Sequence, residues 1–248
     1  MSVYKKIYLD NPFSEDGTLL RSDVFIICFL SKKFKCNRIL LFMNPIIAID
    51  FDGALFRSRP FDEAHKRWFR LFSILLDDDS INDWAFKENY FEGVHLCMKK
   101  YLGDTDNESQ TFFSRQIYAM MLVAETVSSD MVKEFAEYLR SIKGRYSLAL
   151  ITSAPKSAAL PMLHKTHCAD LFDIIYYSPS TDHPDKMSLF GEFITKHERP
   201  LFYIGKGDKD LGALKELGIN TISVNWVEKG TFKGSHDIYS VDELKHIL

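Results

Sequence analysis

The stretch that most constrains this chain is Ile46-Ile-Ala-Ile-Asp-Phe-Asp-Gly-Ala-Leu55. Four apolar residues run directly into Asp50, Asp52 follows two places later, and Gly53 comes next. A short apolar run closed by a turn signal reads as a buried strand. In an open α/β sheet, chemistry gathers beyond the carboxyl ends of such strands. Two carboxylates are therefore presented at one strand end, and Gly53 lets the backbone turn there without a Cβ penalty. Carboxylates so placed can divide labour, one attacking as a nucleophile and the other moving protons. Like charges that close need a cation or a shared proton. On its own the stretch is also compatible with a polar turn that merely closes a strand.

Downstream, strands and helices alternate. Tyr146–Ile151 is a second apolar strand, followed by Thr152-Ser153 and a helix opening at Ala154-Pro155-Lys156. Hydroxyls and N–H groups at a helix start can hold an anion, or can simply cap the helix. Ile174–Tyr177 reads as a third strand, and Lys186 stands on the loop before another helix. Leu201–Ile204 is a fourth strand, ending in Gly205-Lys-Gly-Asp-Lys-Asp210. A helix over Leu211–Leu217 closes at Gly218, and Thr221–Val224 is a fifth strand. This alternation predicts an α/β fold with a Rossmann-like, mainly parallel sheet. The Gly-x-Gly at 205–207 lacks the third glycine of a dinucleotide fingerprint.

Between the first two strands the pattern changes to a helical period. Phe61, Ala64, Trp68, Leu71, Phe72 and Leu75 fall on one helical face. Asp77-Asp-Asp-Ser80 reads as a solvated loop and N-cap. Phe112, Phe113, Ile117, Met120, Met121 and Ala124 mark a further helix, and Met131–Ile142 another, stopped by Gly144. An aromatic and methionine stripe of this kind is core rather than a cofactor box. Residues 58–130 are therefore expected to form a small helical insert in a core of residues 43–57 and 131–248. Residues 1–42 form an N-terminal extension without a chemical motif, in which Phe25–Leu30 suits a strand or a short helix. A folded domain starting at Met43 is one expectation for this leader.

The 248 residues, 46% of them hydrophobic and including 20 Phe and 11 Tyr, suffice for a sizeable core. A net charge of −3 gives no general attraction to nucleic acid or anionic membrane. The basic cluster at 32–38 reads as a solvated face or arm. Cys28, Cys36, Cys97 and Cys168 show no C-x-x-C spacing. They read as free thiols of a reducing, cytoplasmic compartment. Val24–Leu30 is too short to span a bilayer and lacks the flanks of a secretory signal.

The four motifs in order resemble the haloacid dehalogenase (HAD) superfamily over roughly residues 46–248. Asp50, Asp52 and Gly53 match the first motif, Leu148–Ile151 with Thr152 the second, Lys186 the third, and Gly205 with Asp210 the fourth. The helical insert looks like the C1-type cap of phosphoglycolate phosphatase and its relatives. The resemblance implies a phosphatase acting on a small phosphorylated metabolite. Asp50 would be the nucleophile and Asp52 the acid–base. Thr152, Ser153, Lys186 and Gly53 would bind phosphate, and Mg²⁺ would sit on Asp50, Asp52 and Asp210. Arg57, Arg59 and His65, near the first connection, are candidate substrate contacts. Ala54 and Ser153 depart mildly from the family pattern. Lys206 departs seriously, because it stands where a metal-ligating Asp belongs and an ammonium supplies no oxygen ligand. Its expected place is within a few ångströms of Asp50, Asp52 and Asp210. The alternative reading is a weakened HAD-fold binding protein in which Lys206 replaces the metal as counter-ion.

Overall fold

A computed structural model of the chain describes residues 25–27, 40–42, 44–181, 185–226 and 233–248. Its centre is strand β3 (Ile46–Ile49), in which every residue is buried. Beyond the two N-terminal strands β1 (Phe25–Ile27) and β2 (Leu40–Phe42), the sheet comprises β3, β4 (Ser147–Pro155), β5 (Ile174–Ser178), β6 (Phe202–Gly205), β7 (Asn220–Val224) and β8 (His236–Ile238). The spatial order is β5-β4-β3-β6-β7-β8, and all pairs are parallel. The chain leaves β3 first towards β4 and β5, then returns to its other side for β6 to β8. The order thus reverses at β3, and the crevice at such a switch point is where α/β sheets bind ligands.

Apolar residues on both faces of the strands dictate a layer of helices on each side. Successive side chains point to opposite faces. Ile47, Ile49, Leu148, Leu150, Ile204 and Ile222 pack into one cluster, while Ile46, Ala48, Ala149, Ile151 and Tyr203 pack into another. The first is closed by α4 (Lys133–Ile142), α5 (Lys156–Lys165) and α8 (Val241–Leu244), through Phe135, Leu139, Met162 and Leu244. The second is closed by α6 (Lys186–Lys196) and α7 (Asp208–Glu216), through Phe190, Phe193, Leu211 and Leu214. The fold is a Rossmann-like α/β sandwich.

The segment between β3 and α4 carries α1 (Arg59–Leu75), a 3₁₀ stretch (Asp79–Phe86), α2 (Tyr90–Leu102) and α3 (Asn107–Glu125). It holds its own cluster of Trp68, Phe69, Phe72, Ile81, Cys97 and Met98. Asp78 caps the 3₁₀ stretch by accepting from the Ser80 N–H, and Asp106 caps α3 by accepting from the Ser109 N–H at 2.8 Å.

Two details differ from expectation, and a third falls to one of two expected alternatives. Helix α4 starts at Lys133, because Met131 pairs with Phe56 as an antiparallel bridge and Val132 N–H is held by the Leu55 carbonyl at 2.9 Å. Helix α7 starts three residues early, at Asp208, because Gly207 makes the turn at φ +92°. Residues 25–27 are strand and pair antiparallel with β2, Phe25 opposite Phe42. The rest of the 1–42 extension, the basic cluster, Cys28, Cys36 and the expected start at Met43 lie outside the described residues.

The two connections of the helical segment run side by side. Arg57 N–H donates to the Asp130 carbonyl at 2.8 Å. The Arg59 guanidinium grips the Asp130 carboxylate with Nε–Oδ1 at 2.8 Å and a terminal nitrogen–Oδ2 distance of 2.6 Å. Burial works against the Asp130 charge, but Arg59 and the Val127 N–H outweigh it and hold the carboxyl below its ordinary range. A depressed carboxyl contributes stability above the unfolded-state value and loses it as pH falls through the folded value. Asp130→Asn should therefore lower stability at neutral pH by on the order of 1 kcal/mol, since Arg59 is half exposed. In acid denaturation below about pH 5 the variant should lose less stability than the parent; parallel acid curves would separate Asp130 from this linkage.

Candidate active site

The carboxyl ends of β3, β4 and β6 open into one cavity of about 430 Å³, lined by Asp50, Asp52, Thr152, Ser153, Lys186, Lys206 and Asp210 among others. Asp50 extends β3: its N–H reaches the Ile204 carbonyl at 2.8 Å, which fixes the side chain at the strand end. Its Oδ1 accepts from the Phe51 N–H at 2.8 Å and its Oδ2 from Lys186 Nζ at 2.6 Å. Lys186, the first residue of α6, also lies 3.0 Å from Asp210 Oδ2 and donates to the Tyr203 hydroxyl at 3.0 Å. Burial penalises this ammonium, but Asp50, Tyr203 and Asp210 more than offset it and push its pKa well above the ordinary lysine value. Tyr203 itself is pushed up, first by burial and then by Asp50.

Asp52 stands beside a second cation. Lys206 Nζ is 3.5 Å from its Oδ1, and the Ser58 hydroxyl donates to the same oxygen at 2.7 Å while accepting from Lys206. The Asp52 side chain keeps 38% of its surface open, yet that surface faces the crevice, with protein on the other sides. Burial there raises its pKa, opposed by Lys206 and Ser58 and reinforced by Asp50 and Asp62. The result is a carboxyl that holds a proton more readily than a surface aspartate.

Gly53 is required by two facts. Its φ is +73°, and a Cβ there would lie 2.0 Å from Lys206 Cδ. The aliphatic stem of Lys206 thus crosses directly over Gly53 to reach Asp52. Thr152 is 3% exposed and its Oγ1 accepts from the Ala154 N–H at 3.0 Å, which leaves its O–H as a donor. The Ser153 carbonyl accepts from Arg115 of α3 at 2.9 Å.

Asp50, Asp52, Thr152, Ser153, Lys186, Lys206 and Asp210 of the sequence-derived set therefore meet around one crevice, whereas Gly53 is crossed by the Lys206 stem, spends its N–H on the Phe56 carbonyl at 2.7 Å and does not line the cavity as a phosphate donor would. The contacts of the lysines refine the expectation for Lys206: it is Lys186 that bridges Asp50 to Asp210, while Lys206 serves Asp52 and Ser58. Of the candidate substrate contacts, His65 lines the cavity. Arg59 is committed to Asp130, Arg57 is exposed, and neither is among the lining residues. Arg115, Tyr203 and Ser58 escaped the sequence reading. A lone arginine inside the aromatic stripe of α3 was the available signal for Arg115. Ser58 had none, since its role exists only once Lys206 is folded back onto it.

Asp50, Asp52 and Asp210 do not fit magnesium as they stand. Each already faces an ammonium, and among the described residues no group of three or more His, Cys, Asp or Glu converges as a metal-binding set. Magnesium demands near-octahedral oxygen ligands, which Lys206 cannot supply.

Gly53→Ala should destabilise the fold by about 1–2 kcal/mol through the left-handed backbone alone. It should also drive Lys206 off Asp52. Denaturant midpoints measure the first effect. The second would appear as a changed pH dependence of any activity that uses Asp52. A variant as stable as the parent would mean that the turn at 53 relaxes freely.

Searches against protein-family models and against curated protein sequences give no match. Solved structures do match. A HAD-superfamily hydrolase of subfamily IA from Geobacter sulfurreducens superposes with a TM-score of 0.56 at 16% identity, covering 83% of this chain and 100% of that one. YfnB from Bacillus subtilis, a candidate HAD hydrolase solved with magnesium, gives 0.53 at 14% identity, covering 82% and 98%. CbbY from Rhodobacter sphaeroides, solved in a mutant form with xylulose-1,5-bisphosphate, gives 0.53 at 17% identity, covering 82% and 96%. At these identities the likeness is one of architecture: the chain has the fold of the HAD-superfamily hydrolases.

Proposed function

We propose that this chain is a phosphomonoester hydrolase that works through an aspartyl-phosphate on Asp50, with residues 58–130 as the cap over a core of residues 43–57 and 131–248. The observation that carries the reading is the pairing of Asp50 and Asp52 at the end of the central strand, each beside its own lysine, in one crevice. Lys186 and Lys206 offset the negative charge that would otherwise repel a phosphate. The Thr152 hydroxyl, the Ser153 backbone and the Lys186 ammonium are the donors assigned to the phosphoryl oxygens, whereas the Gly53 N–H is already given to the Phe56 carbonyl. An Asp50 oxygen attacks phosphorus, the bond from phosphorus to the ester oxygen breaks, and Asp52 gives its proton to the leaving alkoxide. Asp52, now ionised, takes a proton from water. That water attacks the phosphorus of the acyl-phosphate, releasing phosphate and restoring both carboxyls. The raised pKa of Asp52 suits a group that must start protonated.

CbbY binds a phosphorylated sugar, which supports a small phosphorylated metabolite as the substrate class. Cys97 and Cys168 are free and buried, and burial lifts the Cys97 thiol to about 11. Inert thiols of this kind suit a cytoplasmic setting. Among the described residues no helix is long and apolar enough to cross a membrane.

A second reading is favoured by one observation, the Lys206 contacts with Asp52 and Ser58. They make the site a ready-balanced charge cluster that binds phosphate without turning it over. A generic aryl-phosphate assay decides between the two. Under the hydrolase reading the native protein releases phosphate with or without chelator, and Asp50→Asn stops it while the variant still folds. Release that persists in Asp50→Asn removes Asp50 as nucleophile, and no release from the native protein leaves the binder.

The metal question has its own measurement. Native protein should bind Mg²⁺ weakly in titration calorimetry. Lys206→Asp, which exchanges an ammonium for an oxygen ligand, should bind it at least about tenfold more tightly. Equal, tight binding by both proteins would mean that other oxygens hold the ion.

A further inference from the structure

The part of the cavity contributed by the helical segment is built from rings. Phe61, His65 and Trp68 of α1 and Tyr90 and Phe91 of α2 line it, together with Tyr118 of α3. Several of these rings are fixed against one another. His65 meets Tyr90 edge-on at 4.3 Å between centroids, and Tyr90 lies tilted against Phe91 at 4.2 Å.

Several polar atoms of this wall are committed. Trp68 Nε1 donates to the Ser114 carbonyl at 3.2 Å. Burial lowers the pKa of the His65 imidazole, opposed by a hydrogen bond to the Ala85 backbone. Arg115 donates to the Ser153 carbonyl. The Tyr90 and Tyr118 hydroxyls and Ser114 remain as neutral polar handles.

A polyol entering such a wall exchanges many hydrogen bonds to water for few to protein. A flat ring exchanges little and gains stacking. The guanidinium of Arg115 in the same wall favours a π face and disfavours a cationic headgroup. Space is not limiting, because a second cavity of about 590 Å³ shares Phe91, Val94, Ser114 and Arg115 with the first.

We infer that the group carried by the phosphate is an aromatic or heteroaromatic ring, held between α1, α2 and α3 over Asp50. The inference deepens the reading of the crevice as a phosphomonoester site and rests on it. It assigns specificity to Tyr90 and Phe91.

The test uses two non-hydrolysable probes, phenylphosphonate and 2,3-dihydroxypropylphosphonate, titrated calorimetrically into the full chain. Phenylphosphonate should bind about tenfold more tightly. Tyr90→Leu should erase most of that ratio. Should Tyr90→Leu fail to fold, Phe91→Leu serves in its place, since Phe91 is 39% exposed and less bound into the core. Equal affinities, a preference for the polyol, no binding of either probe, or a ring preference untouched in the folded variant would each overturn the inference. Turnover is read separately. Ring preference without hydrolysis of phenyl phosphate sinks the hydrolase reading alone, and hydrolysis of glycerol phosphate without ring preference sinks this inference alone.

Discussion

The structure turns on the compensation of charge at the end of β3. Two carboxylates two residues apart, one of them 4% exposed, cannot both be ionised in a crevice without cations beside them. Lys186 comes from the start of α6 and Lys206 from the end of β6, so the partners arrive from two separate connections of the sheet. Removing one member of a buried pair such as Lys186–Asp50 typically costs about 3–5 kcal/mol, because the other charge is left stranded. The same contacts therefore tie the ends of β3 and β6 to the start of α6 and set the electrostatics of the pocket.

The second dependence runs through Ser58. It sits at the start of α1, between the sheet and the helical segment, yet its hydroxyl touches both Asp52 and Lys206. The position of the helices is thus written into the hydrogen bonding of Asp52. Arg115 adds a second link, from the middle of α3 to the Ser153 carbonyl near the end of β4. The walls of the cavity and its floor are coupled at two points rather than merely stacked.

Much of this was legible in the sequence because it depends on local pattern. Ile46–Ile49 reads as a buried strand, since all four residues are apolar, as a strand covered on both faces requires. Asp50, Thr152, Lys186 and Asp210 were visible because each follows an apolar run or leads a helix. The start of α4 was not, because Met131 is drawn into a bridge with Phe56 that no local preference encodes. Nor was the division of labour between the lysines. Which ammonium meets which carboxylate depends on the Lys206 stem crossing Gly53, a contact between residues 153 positions apart in the chain. Arg59 shows the opposite error: a charge near the first connection looked available for substrate, but an acidic partner from the second connection had already claimed it.

The paired connections have a mechanical meaning. A domain tied by one flexible tether can swing and twist about several axes. Here two crossings lie antiparallel, joined by the Phe56–Met131 bridge, the Arg57–Asp130 backbone bond and the Arg59–Asp130 fork. Such a pair behaves as an axle: it resists twist and sliding and leaves rotation about one line as the soft mode. Any opening of the helices then sweeps their rings along a fixed arc away from Asp50 and back onto it, so each closure restores the same alignment.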